Sequence, residues 1–400
     1  MRVSVQRLVA FIIGGVFFLP IITMLIGLKS IELSGVTTAH EEKTFSVRDL
    51  LNQSFQSSFE KEFIHKTGLH GYLIKSDNQL NYLVFHQLSS NPKSNVILGN
   101  DRELLERTYL RANVQLGRVL QKRQEKAVSR LVELHRALQE RDIPMLVLVS
   151  PNKAAMQQEA IPSRYRLRPV GSHFENLNLF VKSLTEKGVP LINGYEHLKR
   201  FSTEQGRPVF ANTGTHWNQL GGCVIAAEVF RHATALTRVI LPEISCTIEG
   251  ERTRPAFPDT DLLHMTNLWW PEALLKPAPL VVTRGHFPEG SKKPRLLIIG
   301  SSFMWEFLRQ VEAAKVAKQT EFLYYFQRRS ESSADPGNPL KRATFDFDAA
   351  LKEKTLVLIE INQSALGKAS FGFAEHFLLH VSNQKFPTTN KKPNEKKAGS

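Results

Sequence analysis

Two short stretches carry residue types suited to acyl chemistry. In RLLIIGSSFMWEFL, from Arg295, an aliphatic run ends at Gly300, and Ser301 and Ser302 lie between it and a helical segment that starts at Phe303. A serine in a strand-to-helix turn has the N–H groups of the helix start beside it, which suits a nucleophile with an oxyanion site. The alternative is an N-cap, where serine is also favoured. A serine hydroxyl needs a base at neutral pH. The second stretch, NTGTHWNQLGG from Asn212, offers His216, the best placed of the 13 histidines. Read alone, a histidine before a helix is a packing residue. Beside a strand-end serine it becomes a general base.

Both stretches must be positioned by neighbouring elements, and the hydrophobic periodicity predicts an α/β pattern from about residue 110. A long amphipathic helix over 114–143 leads into PMLVLVSP, a continuous apolar run of the kind found in buried parallel strands. Further strands are predicted at VPLIN, RLLIIG (295–300), TEFLYYF (320–326) and TLVLIEIN (355–362), with helices between them. The expected fold is a doubly wound, mostly parallel α/β sheet of flavodoxin-like layering. Ligands in such sheets sit beyond the carboxyl ends of the strands. That singles out Asn152 and Lys153, Asn193, the Gly300–Ser302 turn, and Glu360 to Gln363. The Pro-rich stretch 235–294 reads as an irregular insertion over one end of the sheet. Phe55, Phe59, Phe63 and Ile64 recur at helical spacing and read as packing residues of an early helix.

The N-terminus predicts a membrane anchor. Residues 8–28, LVAFIIGGVFFLPIITMLIGL, carry no charge and would span roughly 30 Å as a helix. Arg2 and Arg7 precede them, which places residues 1–7 in the cytoplasm and the remainder across the membrane. A cleaved signal peptide is the competing reading, but its apolar region is shorter and ends in a small-x-small site. Residues 29–50 read as a connector, 51–380 as the α/β domain, and 381–400 as a basic disordered tail. The net charge of +14 comes without a nucleic-acid-binding signature. No metal-ligand spacing, P-loop or dinucleotide fingerprint is visible, so no metal and no cofactor is expected. Cys223 and Cys246 form a disulfide or remain two buried thiols; spacing leaves both open.

Several segments, taken in order, resemble the SGNH-hydrolase-like family of alginate O-acetyltransferases, the AlgX/AlgJ type. They are FEKEFIHKTGLHGYLI, VILGNDRELLE, MLVLVSPNKAAMQQEAIPSRY, NTGTHWNQLGG, PDTDLLHM, IIGSSFM and LVLIEIN, which together cover most of residues 50–380. The resemblance implies Ser302 as nucleophile and His216 as base. It also implies an Asp two residues before the histidine, where this chain has Gly214, and an Asp before the serine, where it has Ser301. Arg102 and Glu103 likewise replace the Gly and Trp of the family's early turn. Glu360, Asn212 and Asn362 are candidates for the missing third member. Gly214 itself suits a turn with positive φ. Asn152, Lys153, Trp217 and Asn218 are candidate substrate contacts.

The implied function is acetyl transfer to an exopolysaccharide or cell-envelope glycan. The chain would be a single-pass inner-membrane protein with a periplasmic domain, and a membrane-bound acyltransferase partner would supply the acetyl group. A non-catalytic polysaccharide-binding or assembly protein on the same fold, and a carbohydrate acetylesterase, are the alternatives.

Overall fold

The computed structural model describes residues 5–35, 55–56, 59–60, 62–63, 67–89, 94–114, 121–166 and 175–385. The basic tail beyond 385, most of the connector, Arg2 and Ile64 lie outside them. Helix α1, Val5–Leu25, is apolar and exposed along its length, with Phe11 84% and Phe17 77% accessible. Helix α2, His70–Phe85, follows the turn at Gly68. Phe55, Phe59 and Phe63 stack on one another, but Phe59 is exposed rather than packed into a core.

The main domain begins with a hairpin of β1 (Val96–Leu98) and β2 (Leu104–Glu106), then α3 (Arg107–Val114) and α4 (Lys122–Gln139). The sequence reading ran this last helix from 114; residues 115–120 lie outside the described ones. Next come β3 (Met145–Ser150), the single turn α5 (Lys153–Met156), α6 (Glu175–Glu186), β4 (Leu191–Asn193), α7 (Gly194–Gln205) and α8 (Gln219–Thr237). Residues 235–294 are more regular than expected. They hold a long antiparallel ribbon of β5 (Glu243–Arg252) and β6 (Ala278–His286), with the short helix α9 (Asp261–Met265) between its strands. Then follow β7 (Arg295–Gly300), α10 (Met304–Ala314), β8 (Gln319–Tyr324), β9 (Arg328–Ser330), β10 (Asn338–Pro339), α11 (Phe347–Leu351), β11 (Leu356–Asn362) and α12 (Phe373–Lys385).

The central sheet has the order β10-β9-β8-β7-β11-β3-β4. The five strands from β8 to β4 are parallel, and β9 and β10 add an antiparallel edge. Alternation along the strands explains the layering. Leu146, Leu148, Leu296, Ile298, Leu356 and Leu358 pack with α7, α8 and α10 on one face. Val147, Val149, Leu297, Ile299, Val357 and Ile359 pack with α4, α6, α11 and α12 on the other. Such near-continuous apolar strands are what burial on both faces requires. The doubly wound sheet therefore agrees with the sequence reading.

Cys223 in α8 is disulfide-bonded to Cys246 in β5, pinning the ribbon to the helix that follows the His216 loop. The bridge closes a loop over a sequence separation of 23. By chain entropy such a bridge stabilises by about 3 kcal/mol. The double substitution Cys223→Ala, Cys246→Ala is therefore expected to lower the urea midpoint and, because the freed unfolded chain exposes more surface, to raise the slope. An unchanged midpoint would show that the bridge does not constrain the unfolded chain.

Candidate functional site

The site lies at the carboxyl ends of the parallel strands. Ser302 follows β7 by two residues, and α10 begins two residues later. Gly300 makes this turn fit: a Cβ there would lie 2.7 Å from Met304 Cγ and 3.0 Å from Glu360 Oε2. The Ser301 N–H donates to Glu360 Oε2 at 2.6 Å, so the turn is tied to the end of the central strand β11. The Ser302 N–H is taken up by no acceptor among the described residues.

Ser302 Oγ and His216 Nε2 are 2.8 Å apart, and His216 Nδ1 lies 2.8 Å from Asp261 Oδ2. With the carboxylate accepting from Nδ1–H, the tautomer is set, and Nε2 accepts from the Ser302 hydroxyl. Asp261 is thus the imidazole's anion. It comes from PDTDLLHM in the ribbon insertion, a segment that carried part of the family resemblance but no site assignment. Its first-turn position is also well held: Oδ1 accepts from the Thr215 N–H at 2.8 Å and the Leu262 N–H at 2.7 Å. The imidazole edge packs on Phe303, ring centroids 4.9 Å apart.

Gly214 is explained by the same loop. Its φ is not positive, contrary to the turn reading. Instead, a Cβ at 214 would stand 3.1 Å from the Asp259 carbonyl oxygen. The Leu262 and Leu263 N–H groups donate to the Thr213 carbonyl, and the Thr213 hydroxyl donates to the Asp259 carbonyl at 2.9 Å. The chain that brings Asp261 to His216 passes directly over Gly214, so a side chain there would push the Asp259 backbone away by a few tenths of an ångström.

The other candidates for the third member do different work. Glu360 is fully buried and accepts from the Ser150 hydroxyl as well as from Ser301 N–H. Burial pushes its carboxyl above the usual range, partly opposed by these hydrogen bonds. Asn362 caps the turn after β11 through Ser364 and donates to Ser150 Oγ at 3.3 Å. Asn212 donates to the Leu274 carbonyl at 2.7 Å and accepts from the Lys276 N–H. None of the three touches the imidazole.

The four candidate substrate contacts are all buried. Trp217 is 0% accessible and packs edge-on against Phe303 at 5.1 Å. Asn218 caps α8 through the Gly221 N–H and donates to the Pro208 carbonyl. Asn152 caps α5. Lys153 Nζ donates to the carbonyls of Ala211 and Asn212, each at 2.7 Å, and pairs with Glu103 at 3.0 Å. Desolvation lowers its ammonium to about 8, against the pull of Glu103. These side chains hold the His216 loop from below, and Glu103, a departure from the family pattern, supplies the counter-ion. A pairing 50 positions apart, or a buried lysine on two carbonyls, leaves no periodic trace in the sequence.

Ser302 and His216 open into a cleft of about 400 Å³, also lined by Phe257, Trp305, Arg309 and Arg328.

A mostly parallel α/β sheet with a serine turn after one strand and a His–Asp pair on the loops above it is the architecture of an SGNH-hydrolase-like domain. A family model for the SGNH hydrolase-like domain of the acetyltransferase AlgX matches residues 96–318, and the chain belongs to that family. No curated protein matches it. Solved structures similar to the chain include the O-acetyltransferase domain of Pseudomonas putida AlgJ, at 17% identity and TM-score 0.43, over 68% of this chain and 92% of that one. Pseudomonas aeruginosa AlgX is 12% identical at TM-score 0.44, over 70% and 67%. Bacillus cereus PatB1, solved with a sulfonyl adduct, is 13% identical at TM-score 0.45, over 70% and 99%. The family assignment rests on the 96–318 match.

Asp259, in the segment that crosses Gly214, provides a pH test. Burial, and then the Glu306 carboxylate, push its carboxyl from 3.8 up to about 6, with Arg252 and Arg309 opposing. Between those values the folded chain holds a proton that the unfolded chain has released. The associated stability is complete below the unfolded value and is lost as pH rises through about 6. Relative to Asp259→Asn, the wild type should therefore lose on the order of 2 kcal/mol between pH 4 and pH 7. Urea unfolding at the two pH values measures it; parallel changes in both proteins would refute the burial argument.

Proposed function

We propose that the chain is a membrane-anchored, periplasmic O-acetyltransferase that moves acetyl groups onto a polysaccharide through Ser302, His216 and Asp261. The observation that carries this reading is the continuous relay from Asp261 through His216 to Ser302, opening into a cleft. Family membership supports the acetyl chemistry. The exposed apolar helix α1, one helix long enough to cross a bilayer among the described residues, supports the anchor. A Cys223–Cys246 bridge is at home in an oxidising compartment such as the periplasm.

In this reading Ser302 Oγ attacks the carbonyl carbon of an acetyl ester or thioester presented by a membrane-bound acyltransferase partner. Its proton passes to His216 Nε2. Asp261 stabilises the resulting imidazolium through Nδ1–H without taking the proton. The tetrahedral oxyanion forms beside the free Ser302 N–H and the start of α10, where donors and the helix dipole favour negative charge. Collapse expels the donor's oxygen or sulfur, which takes the proton from Nε2, and leaves acetyl-Ser302. A glycan hydroxyl then repeats the sequence in reverse: His216 removes its proton, the hydroxyl oxygen attacks, and Ser302 leaves with the proton returned. Arg309 and Arg328 line the cleft where a polyhydroxylated or acidic acceptor would lie. A non-catalytic role loses its main argument once Asp261 fills the place left by Gly214.

The test is acetyl-enzyme trapping. Wild type treated with an activated acetyl ester should gain one acetyl group by mass spectrometry, and Ser302→Ala should gain none at that site. Equal labelling of the two overturns the nucleophile assignment. Asp261→Asn should slow acetylation by up to about 10⁴-fold, since the amide fixes the wrong tautomer and carries no charge. Adding Gly214→Asp should not rescue it, because the Asp259 backbone lies over that position. Faster discharge by an added oligosaccharide than by water separates transfer from ester hydrolysis.

A further inference from the structure

Helix α2 is built inside out. Its inward positions are polar. Asn78 and Gln79 are buried, Asn78 Nδ2 donates to the Thr266 carbonyl at 3.0 Å, and Gln79 Oε1 accepts from the N–H groups of Trp269 and Trp270. Its outward positions are mostly apolar: Leu73, Leu80, Leu83, Val84 and Phe85 are each 58–63% exposed, with Ser76 and Asp77 the polar residues among them. Leu73, Leu80 and Val84, at spacings of seven and four, form one stripe. A helix in contact with water on its outer side shows the opposite arrangement.

The position of this face indicates what covers it. The chain leaving α1 is fastened to the start of α2. Thr23 Oγ donates to the Thr67 carbonyl at 2.5 Å, and the Gly71 N–H donates to Ser30 Oγ at 2.9 Å. Gly68 and Gly71 permit this contact, since a Cβ at either would lie 2.0 and 2.1 Å from the carbonyl oxygens of Leu28 and Ile31. Ser34 exchanges two hydrogen bonds with Asn267, just beyond α9. The exit of the spanning segment is thereby held against the start of α2, which places the helix at the membrane surface. Beside that face stand Trp270, 64% exposed, and Trp269, whose indole lies tilted against Tyr72 at 6.1 Å and 5.2 Å from the Lys75 ammonium. Tryptophan and tyrosine with a lysine whose stem can reach the interface are the side chains that favour the bilayer boundary.

We infer that the outward face of α2 rests in the outer boundary of the bilayer that α1 crosses, as a second, in-plane membrane contact. This rests on α1 being a membrane span. An in-plane helix of this kind buries its apolar side roughly 5–10 Å into the headgroup and acyl boundary. Because Asn78 holds the end of α9, the helix that begins with Asp261, the contact would also set the height of the site above the membrane.

Depth-dependent quenching tests this in the full chain reconstituted in phosphatidylcholine–phosphatidylglycerol vesicles. The native cysteines are paired, so a single environment-sensitive fluorophore can be placed on Leu80→Cys, on Phe17→Cys within α1, or on Lys352→Cys as a remote control. Phe17→Cys should be quenched by nitroxides deep in the acyl chains. Leu80→Cys should be blue-shifted and quenched by nitroxides near the headgroups, and Lys352→Cys by neither. Deep quenching at 17 without quenching at 80 overturns the in-plane contact and leaves the anchor standing. A blue shift at 80 without lipid quenching, with cross-linking between Leu80→Cys copies, assigns the face to a second copy and overturns the proposal. Absence of quenching at 17 overturns the anchor, and the in-plane contact with it.

Discussion

Both oxygens of the Asp261 carboxylate are engaged, and the site depends on this. One oxygen takes the Thr215 and Leu262 N–H groups; the other faces His216 Nδ1. The Thr215 N–H ties the carboxylate to the histidine's own loop and the Leu262 N–H fixes it on its own helix, so the distance from Asp261 to the imidazole is set by main-chain geometry. A carboxylate hydrogen-bonded in this way stays in place without relying on a flexible partner. The crossing of the two loops that makes this possible also fixes Gly214, since any side chain there would displace the Asp259 backbone.

Beneath this crossing, the domain supplies support of a different kind. Lys153 is a buried cation satisfied by two carbonyls of the 211–212 segment and by Glu103, an arrangement that would be costly unless all partners were present. Glu360 anchors the serine turn from the centre of the sheet, and Gly300 lets it approach. Ser302 and His216 therefore come from separate elements, each tied by its own buried polar group to the carboxyl ends of β3, β7 and β11. The imidazole and hydroxyl meet because both supports refer to the same sheet. The disulfide extends the principle outward by fastening the ribbon that carries Asp261 to α8.

Much of this was legible in the residues. Apolar runs such as LLII at 296–299 and LVLI at 356–359 can only be strands buried on both faces, and their alternation with amphipathic helices dictates a doubly wound sheet. A serine after one such run and a histidine before a helix identified the two ends of a relay. The long ribbon of β5 and β6 was missed because the prolines scattered through 235–294 make that stretch read as irregular, although Ile244, Cys246 and Ile248 alternate with polar residues in β5. Asn152, Lys153, Trp217 and Asn218 lie buried beneath the His216 and Ser302 loops. Their burial has no sequence signature, because polar side chains are read as exposed until their partners are known.

The amino-acid order alone thus determined the parallel strands of the central sheet and the helices between them, the apolar N-terminal segment, and the serine and histidine that face one another. These are local matters: periodicity, turn residues and short spacings express forces acting over a few neighbouring positions. Only the tertiary structure decided which carboxylate meets the imidazole, what lies against Gly214 and the pairing of Cys223 with Cys246. Each depends on a contact between segments distant in the chain, such as residues 213–216 with 259–263. Whether a carboxylate reaches an imidazole across such a gap is settled by how the loops cross, which no single stretch of sequence contains.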